Sequence, residues 1–352
     1  MAQPTPFADT RSTARTKGSD FAPLLREVKD AGLLERRTAS YVIAIGLNLL
    51  LMGATWAGII LLGNSWLQLL LAIPLALVTT RASFFGHDAG HQQISCSRKV
   101  HDLIGLIHGN LLLGMSYGWW NDKHNRHHAN PNHTDKDPDV GAGVLVWTME
   151  QAEGRAGLFG WLTRYQAEIF FPLLTLEGLN LKVSSIKYLI GRPRREATIE
   201  LGLIAAHLVI YSTALLMIMS PGKAIAFAAL HHAIFGLHLG SVFAPNHKGM
   251  EMPDCDTRWG HLEKQVLTSR NVDGGLVVDW MMGGLNYQIE HHLFPSMPRA
   301  NLRYAQPIVQ SYCERIGMPY LSTGLIDSYL QGLEHMHEVG RELREEHIPV
   351  RV

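Results

Sequence analysis

Cysteine is scarce in this chain: three among 352 residues, Cys96, Cys255 and Cys313, far apart and with no CxxC pair. That excludes a disulfide framework and a cysteine-built metal site, and it fits a reduced, cytoplasmic setting. Basic and acidic residues balance at 31 each and form no basic block, so nothing points to nucleic acid. The first twenty residues are polar, lack the apolar core of a signal peptide and read as a mobile tail. No repeat at solenoid spacing is present. The most informative absence is charge itself: from Thr38 to Thr80 there is no Asp, Glu, Lys or Arg.

Such a run is about twice the ~20 residues that cross a bilayer as a helix, so it holds two spans or none. Gly63-Asn64-Ser65 breaks it, giving spans at about 41–62 and 66–85. A second uncharged run and the apolar stretch after Pro221-Gly222 give spans at about 199–220 and 223–245. Core helices of soluble proteins rarely stay uncharged so long, so the expected fold is an all-α membrane protein with four transmembrane helices in two hairpins. Basic residues precede the first span (Arg26, Lys29, Arg36, Arg37) and populate the middle segment, whereas both turns are nearly free of them. The positive-inside tendency then puts the N-terminus, the middle segment and the C-terminal third on the cytoplasmic side of a multi-pass protein.

Histidine is abundant, with nineteen residues. Three groups have ligand-like spacing: "HDAGH" at 87–91, "HNRHH" at 124–128 and "QIEHH" at 288–292. Helical neighbours at i, i+3 and i+4 share a face, so His124, His127 and His128 can converge, as can His87 with His91 and Gln288 with His291 and His292. The span assignment brings all three groups to one membrane face, which a shared metal centre explains. Neutral imidazole suits iron, zinc, copper or nickel alike. Seven histidines and a glutamine exceed the needs of one ion and argue for two metals. The chain lacks the HExxH of zinc proteases, haem takes at most two axial histidines, and soluble di-iron bundles use paired Glu-x-x-His motifs, of which this chain has one, Glu334 to His337.

From about Arg81 to Leu302, with the phrases "GHDAGH", "HNRHH", "FAPNH" and "NYQIEHHLFP", the chain resembles the membrane fatty-acid desaturases, which share a three-histidine-box plan with membrane hydroxylases and ketolases. Glutamine at the start of the third box resembles the front-end, linoleoyl-CoA desaturase-like branch. The resemblance implies a cytoplasmic helical cap over the four spans and two Fe ions. It implies His87, His91, His124, His127, His128, His291 and His292 as ligands, with His247 as an eighth. Asn246 matches an asparagine that holds a metal-bound water, and Gln288 stands where other desaturases have histidine. Asp88 and Glu290 are candidates to orient imidazoles from behind. Asp135, Asp137 and Asp139 read as shaping a polar turn. His207, His231, His232 and His238 read as bundle-interior residues. His101, His108, His133 and His261 are not singled out by spacing, and His335, His337 and His347 read as solvated.

The implied division is residues 1–37 as tail and pre-membrane helix, 38–302 as the desaturase domain, and 303–352 as a C-terminal cytoplasmic helical tail. The implied reaction removes two vicinal hydrogens from a fatty acyl chain while O2 is reduced to water. An unactivated methylene has no acidic proton or leaving group, so oxygen activation by metal is what the chemistry needs. The sequence has no His-Pro-Gly-Gly haem motif and about forty residues before the first span, which leads us to expect a separate electron donor of ferredoxin or cytochrome b5 type with its reductase. Three other readings stay open. A membrane di-iron lipid hydroxylase would use the same ligands, as would a delta-9 desaturase. A metal-binding transporter would instead line a path at mid-bilayer depth.

Overall fold

The computed structural model describes residues 20–192 and 194–345; the expected N-terminal tail and His347 lie outside them. Four helices are long and apolar enough to cross a membrane: Thr38–Leu62, Gln68–Gly90, Ala197–Ile218 and Pro221–His247. The first presents Val42, Ile43, Leu50 and Leu61 outward, as a helix does whose surroundings are as apolar as its core. Its C-terminal carbonyls would be orphaned in such surroundings. Gln68 covers them, donating to the carbonyls of Ile59 and Gly63 at 2.7 Å each. Gly63 makes the turn with φ 59° and ψ −145°, a conformation closed to most side chains. The two breaks lie side by side, with Ser220 N donating to Asn64 Oδ1 (3.0 Å) and Lys223 Nζ to the Asn64 carbonyl (2.8 Å).

Between the second and third apolar helices the chain adds a π-helix, Leu106–Leu113, and the second-box helix, Tyr117–Ala129. A further pair, Gln166–Leu174 and Glu177–Ile190, bends by 74° at its break and would make a fifth apolar crossing if counted as one. The hydropathy reading missed this pair because Glu177, Lys182 and Lys187 interrupt it. The second apolar helix runs through Gly90, beyond the expected end at 85, and so carries His87 itself.

The C-terminal part is helical apart from a two-stranded parallel sheet, in which Asn271–Asp273 pairs with Ser322–Gly324. Fold class is therefore mostly helical, with that small addition. Helix Arg299–Ile316 runs across the expected boundary at 302/303, and Leu24 and Val28 of helix Phe21–Asp30 join Leu302, Val309 and Cys313 in one core.

Candidate metal centre

Helix Tyr117–Ala129 begins at Ser116, whose Oγ accepts from Trp119 N at 2.9 Å. Glu200, at the start of the third apolar helix, accepts from Asn110 Nδ2 (2.9 Å), Ser116 Oγ (2.7 Å) and Gly118 N (3.2 Å), a carboxylate at a helix N-terminus. That fixes the helix against the third apolar helix. It crosses the end of the second apolar helix at Gly90, where a Cβ would lie 2.3 Å from Asn121 Oδ1 and 2.6 Å from Trp120. The short helix Gln288–Leu293 turns Ile289 and Leu293 into the C-terminal core and Gln288, His291 and His292 toward the other histidines.

Two histidine groups result. The ligand atoms of His87, His91, His124 and His291 lie within 4.8 Å of one another, and so do those of His127, His247 and His292. The second box does not converge on one point as helical spacing suggests: His124 joins the first group and His127 the second. The third box divides likewise, His291 from His292, because adjacent helical residues point about 100° apart. His128 bridges, with Nε2 3.0 Å from His124 Nε2 and its ring stacked on His292 at 4.2 Å.

The ring nitrogens fit metal ligation. Nδ1 of His87 meets Asp88 Oδ1 (3.0 Å), that of His127 meets Asp137 Oδ2 (2.8 Å), that of His247 the Thr268 carbonyl (2.9 Å), and that of His292 Gln265 Oε1 (2.9 Å). Oxygen acceptors require Nδ1–H, so each Nε2 carries a lone pair. Buried nitrogens without partners include Nε2 of His87, His91 and His292 and both nitrogens of His291. So many orphaned ring nitrogens, most of them acceptors, demand a cation or solvent. Burial, reinforced by neighbouring imidazoles, holds His124, His128, His291 and His292 well below the usual histidine range, hence neutral.

Asp137 and Asp139, read from sequence as turn formers, belong to the site: with His127 they make a third close group. Burial alone would push the Asp137 carboxyl up, but the hydrogen bond from His127 brings it below the ordinary range. Asp137 also accepts from Asn132 N (2.7 Å), while Asn132 Nδ2 donates to the His247 carbonyl (2.8 Å), so one turn ties second-box and fourth-helix ligands together. No helical period connects positions 127 and 137, which is why spacing did not reveal it. Arg299 was also missed. Its guanidinium pairs with Asp88 at 2.7 Å, completing a chain from Arg299 through Asp88 to His87.

Gln288 donates from Nε2 to His247 Nε2 (2.9 Å) and accepts from Asn246 Nδ2 (3.3 Å), leaving Asn246 Oδ1 buried without a partner. Glu290, expected to orient an imidazole, touches none: it accepts from Asn271 Nδ2 (2.7 Å) and Tyr320 OH (2.8 Å), and burial pushes it up to about 7. It anchors the third-box helix to the strands instead. His335, expected to be solvated, is half-buried and donates to the Trp147 carbonyl at 2.9 Å, whereas His337 is exposed. His101 accepts from the backbone of Ile94 and Ser95, His108 meets the Ile104 carbonyl, and His238 meets that of Met281; none joins the two groups.

A cavity of about 270 Å³ opens onto both groups, reached by His87, His124, His127, His247 and Gln288. Phe84, Leu113, Phe170, Leu239 and Phe243 supply apolar wall, with Lys123, Lys248 and Asp139 also lining it. Trp120 lines it too and stacks on His124 at 4.4 Å.

The site is thus two groups of buried imidazoles, open to a largely apolar cavity, whose unpaired ring nitrogens are able to hold metal. The fatty acid desaturase family model matches residues 64–324, and this chain belongs to that family. It is similar to the Delta(8)-fatty-acid desaturase of Helianthus annuus, 28% identical over 346 residues that span 93% of this chain and 74% of the relative. It is 30% identical to Fatty acid desaturase 3 of Bos taurus (88% and 71% covered) and 29% to the Delta(6)-fatty-acid desaturase fat-3 of Caenorhabditis elegans (78% and 65%). The chain is an enzyme of fatty acyl desaturation.

Proposed function

We propose that the chain introduces a double bond into a fatty acyl chain at the expense of O2, using two iron ions. One is held by His87, His91, His124 and His291, the other by His127, His247 and His292, with His128 between them. Bound iron supplies the oxygen activation that unactivated C–H bonds require. The observation that most supports this is the set of buried, outward-unsatisfied Nε2 atoms in two abutting groups beside one apolar cavity.

The chain's own residues supply geometry. Phe84, Leu239 and Phe243 hold an acyl segment by apolar contact and exclude water from it. Asp88, Asp137, the Thr268 carbonyl and Gln265 keep four imidazoles in the ligating tautomer. Asn246 offers a free acceptor beside the second group. Front-end regiochemistry follows from Gln288 and from relatives named as Delta(8), Delta(6) and Delta(5) desaturases. Two of the four electrons that reduce O2 to water come from the two C–H bonds broken and the other two from a separate donor, and the four spans form two hairpins with the histidine groups and the helical cap on the cytoplasmic side. Mass spectrometry of lipids from cells expressing the chain, with double bonds mapped, tests the reading. New bonds between an existing double bond and the carboxyl end are expected; hydroxylated products would overturn desaturation, and insertion at the ninth carbon of saturated chains would overturn the front-end assignment.

A further inference from the structure

Between strand Asn271–Asp273 and the third-box helix lies a helix of seven residues, Gly275–Met281, none of them buried. Leu276 and Val277 are each 74% exposed, and Trp280 and Met281 are exposed beside them. These four positions share one helix face, so the apolar surface is continuous, unlike the single exposed apolar residues common on any protein. By sequence the segment falls in the C-terminal third, expected on the cytoplasmic side of the spans.

Its contacts place it deeper. The Trp280 carbonyl accepts from Arg81 Nη1 (2.9 Å), whose guanidinium lies 5.0 Å from the centre of the Trp280 ring, and the Met281 carbonyl accepts from His238 Nε2 (2.9 Å). Arg81 belongs to the apolar helix Gln68–Gly90 and His238 to Pro221–His247, and these two helices begin at the adjoining breaks where Ser220 N meets Asn64 Oδ1. At about 1.5 Å per residue, Arg81 lies about 20 Å along its helix and His238 about 26 Å along its own. Bilayer hydrocarbon is about 30 Å thick, so the C-terminal end of Gly275–Met281 stays within it.

The backbone at that end meets the demand hydrocarbon makes. The last four carbonyls of a helix have no partner within it, and lipid offers none. Here all four are covered. Val278 O accepts from Met282 N (2.8 Å), Asp279 O from Gly284 N (2.9 Å), Trp280 O from Arg81 and from Gly283 N (3.3 Å), and Met281 O from His238. The chain doubles back this tightly because Gly283 and Gly284 take φ of 63° and 81°, open to glycine at little cost.

We propose that Gly275–Met281 is immersed in the acyl region of the bilayer, with phospholipid chains covering the face of Leu276, Val277, Trp280 and Met281. Continuity names the occupant: the helix is bonded to two apolar helices within their membrane depth, where its outward neighbour is lipid. Immersion ties the third box to the membrane, because Asp279 accepts from Asn286 Nδ2 (2.8 Å) and Tyr287 OH (3.2 Å), the residues just before Gln288. The proposal rests on reading the apolar helices as spans.

The test places a bimane on a single introduced cysteine of the full-length chain in phosphatidylcholine vesicles, with Cys96 and Cys255 replaced by serine. Labels at Leu276→Cys and Val277→Cys are expected to be quenched by lipids brominated on their acyl chains, and to be several times less sensitive to aqueous iodide than a label at Gln310→Cys, an exposed position of helix Arg299–Ile316. A label at Leu50→Cys, exposed on the first apolar helix, reports on the spans themselves. Acyl quenching at Leu50→Cys, with iodide quenching of the two helix labels equal to that at Gln310→Cys, would overturn the proposal and keep the spans; no acyl quenching at Leu50→Cys would overturn both. Quenching of the two helix labels by neither agent would show that protein covers the face, and would overturn the proposal equally. Both side chains are exposed, so either variant should fold; if one does not accumulate, the other decides alone.

Discussion

The two histidine groups are built by different means. In the second, all three imidazoles are pinned at Nδ1: His127 by Asp137, His247 by the Thr268 carbonyl and His292 by Gln265. Gln265 is itself fixed, donating to the His128 carbonyl at 2.9 Å. In the first, only His87 has such a partner, while His291 has both nitrogens free and His91 packs by ring contacts. One site is oriented by hydrogen bonds, the other by helix packing. A packed imidazole can swing about χ2 at little cost, whereas a pinned one must first break a buried hydrogen bond. The second group should hold its geometry without metal; the first should depend on the metal to complete it.

The largest effect expected is loss of a ligand. His127→Ala or His292→Ala should abolish activity while leaving the chain in the membrane and the iron content lowered, measured by product analysis and metal assay on purified protein; full activity in either variant would sink the assignment. Next come the carboxylates behind the imidazoles. Asp137→Asn should lose about 10–100-fold in activity or iron affinity, and Asp88→Asn similarly, with Arg299→Met a milder version of the latter because Asp88 keeps its bond to His87. An Arg299→Met enzyme as poor as Asp88→Asn would show that the ion pair, not the carboxylate, positions His87.

The contrast between the groups is sharpened by a chelator challenge. Iron left in His292→Ala, where the first group is intact, should be stripped several times faster than iron left in His291→Ala, where the second is intact. The reverse order would break the comparison. A smaller effect is expected of Gln288→His, which places another imidazole beside His247 and should retain iron while altering turnover; loss of iron would contradict that. The smallest is Glu290→Gln. It exchanges one acceptor for a donor facing Asn271 and Tyr320, so thermal stability should fall by about 1–2 kcal/mol with iron content unchanged. A drop in iron without a drop in melting temperature would return Glu290 to the role of orienting an imidazole.

Much of this was legible beforehand because it is local. A charge-free run announces a long apolar helix whatever surrounds it, and Gly63 and Pro221 mark where such helices stop and start. The histidine inventory was equally plain, since "HDAGH", "HNRHH" and "QIEHH" need only helical spacing to be recognised. The bent pair from Gln166 to Ile190 escaped notice because its charges break the hydropathy signal, although Gly178 and Gly236 pack it tightly against the fourth apolar helix.

By itself, then, the sequence determined which helices are apolar and where histidines cluster at ligand-like spacing, because composition and a 3.6-residue period act within one segment. Only the tertiary structure decided how those ligands divide. That His124 and His127 part company, that Asp137 rather than Glu290 backs an imidazole, that Arg299 reaches Asp88 and that His238 meets the Met281 carbonyl all depend on segments distant in the chain. Partner choice across such distances is set by how whole helices pack, and no period within one helix encodes it.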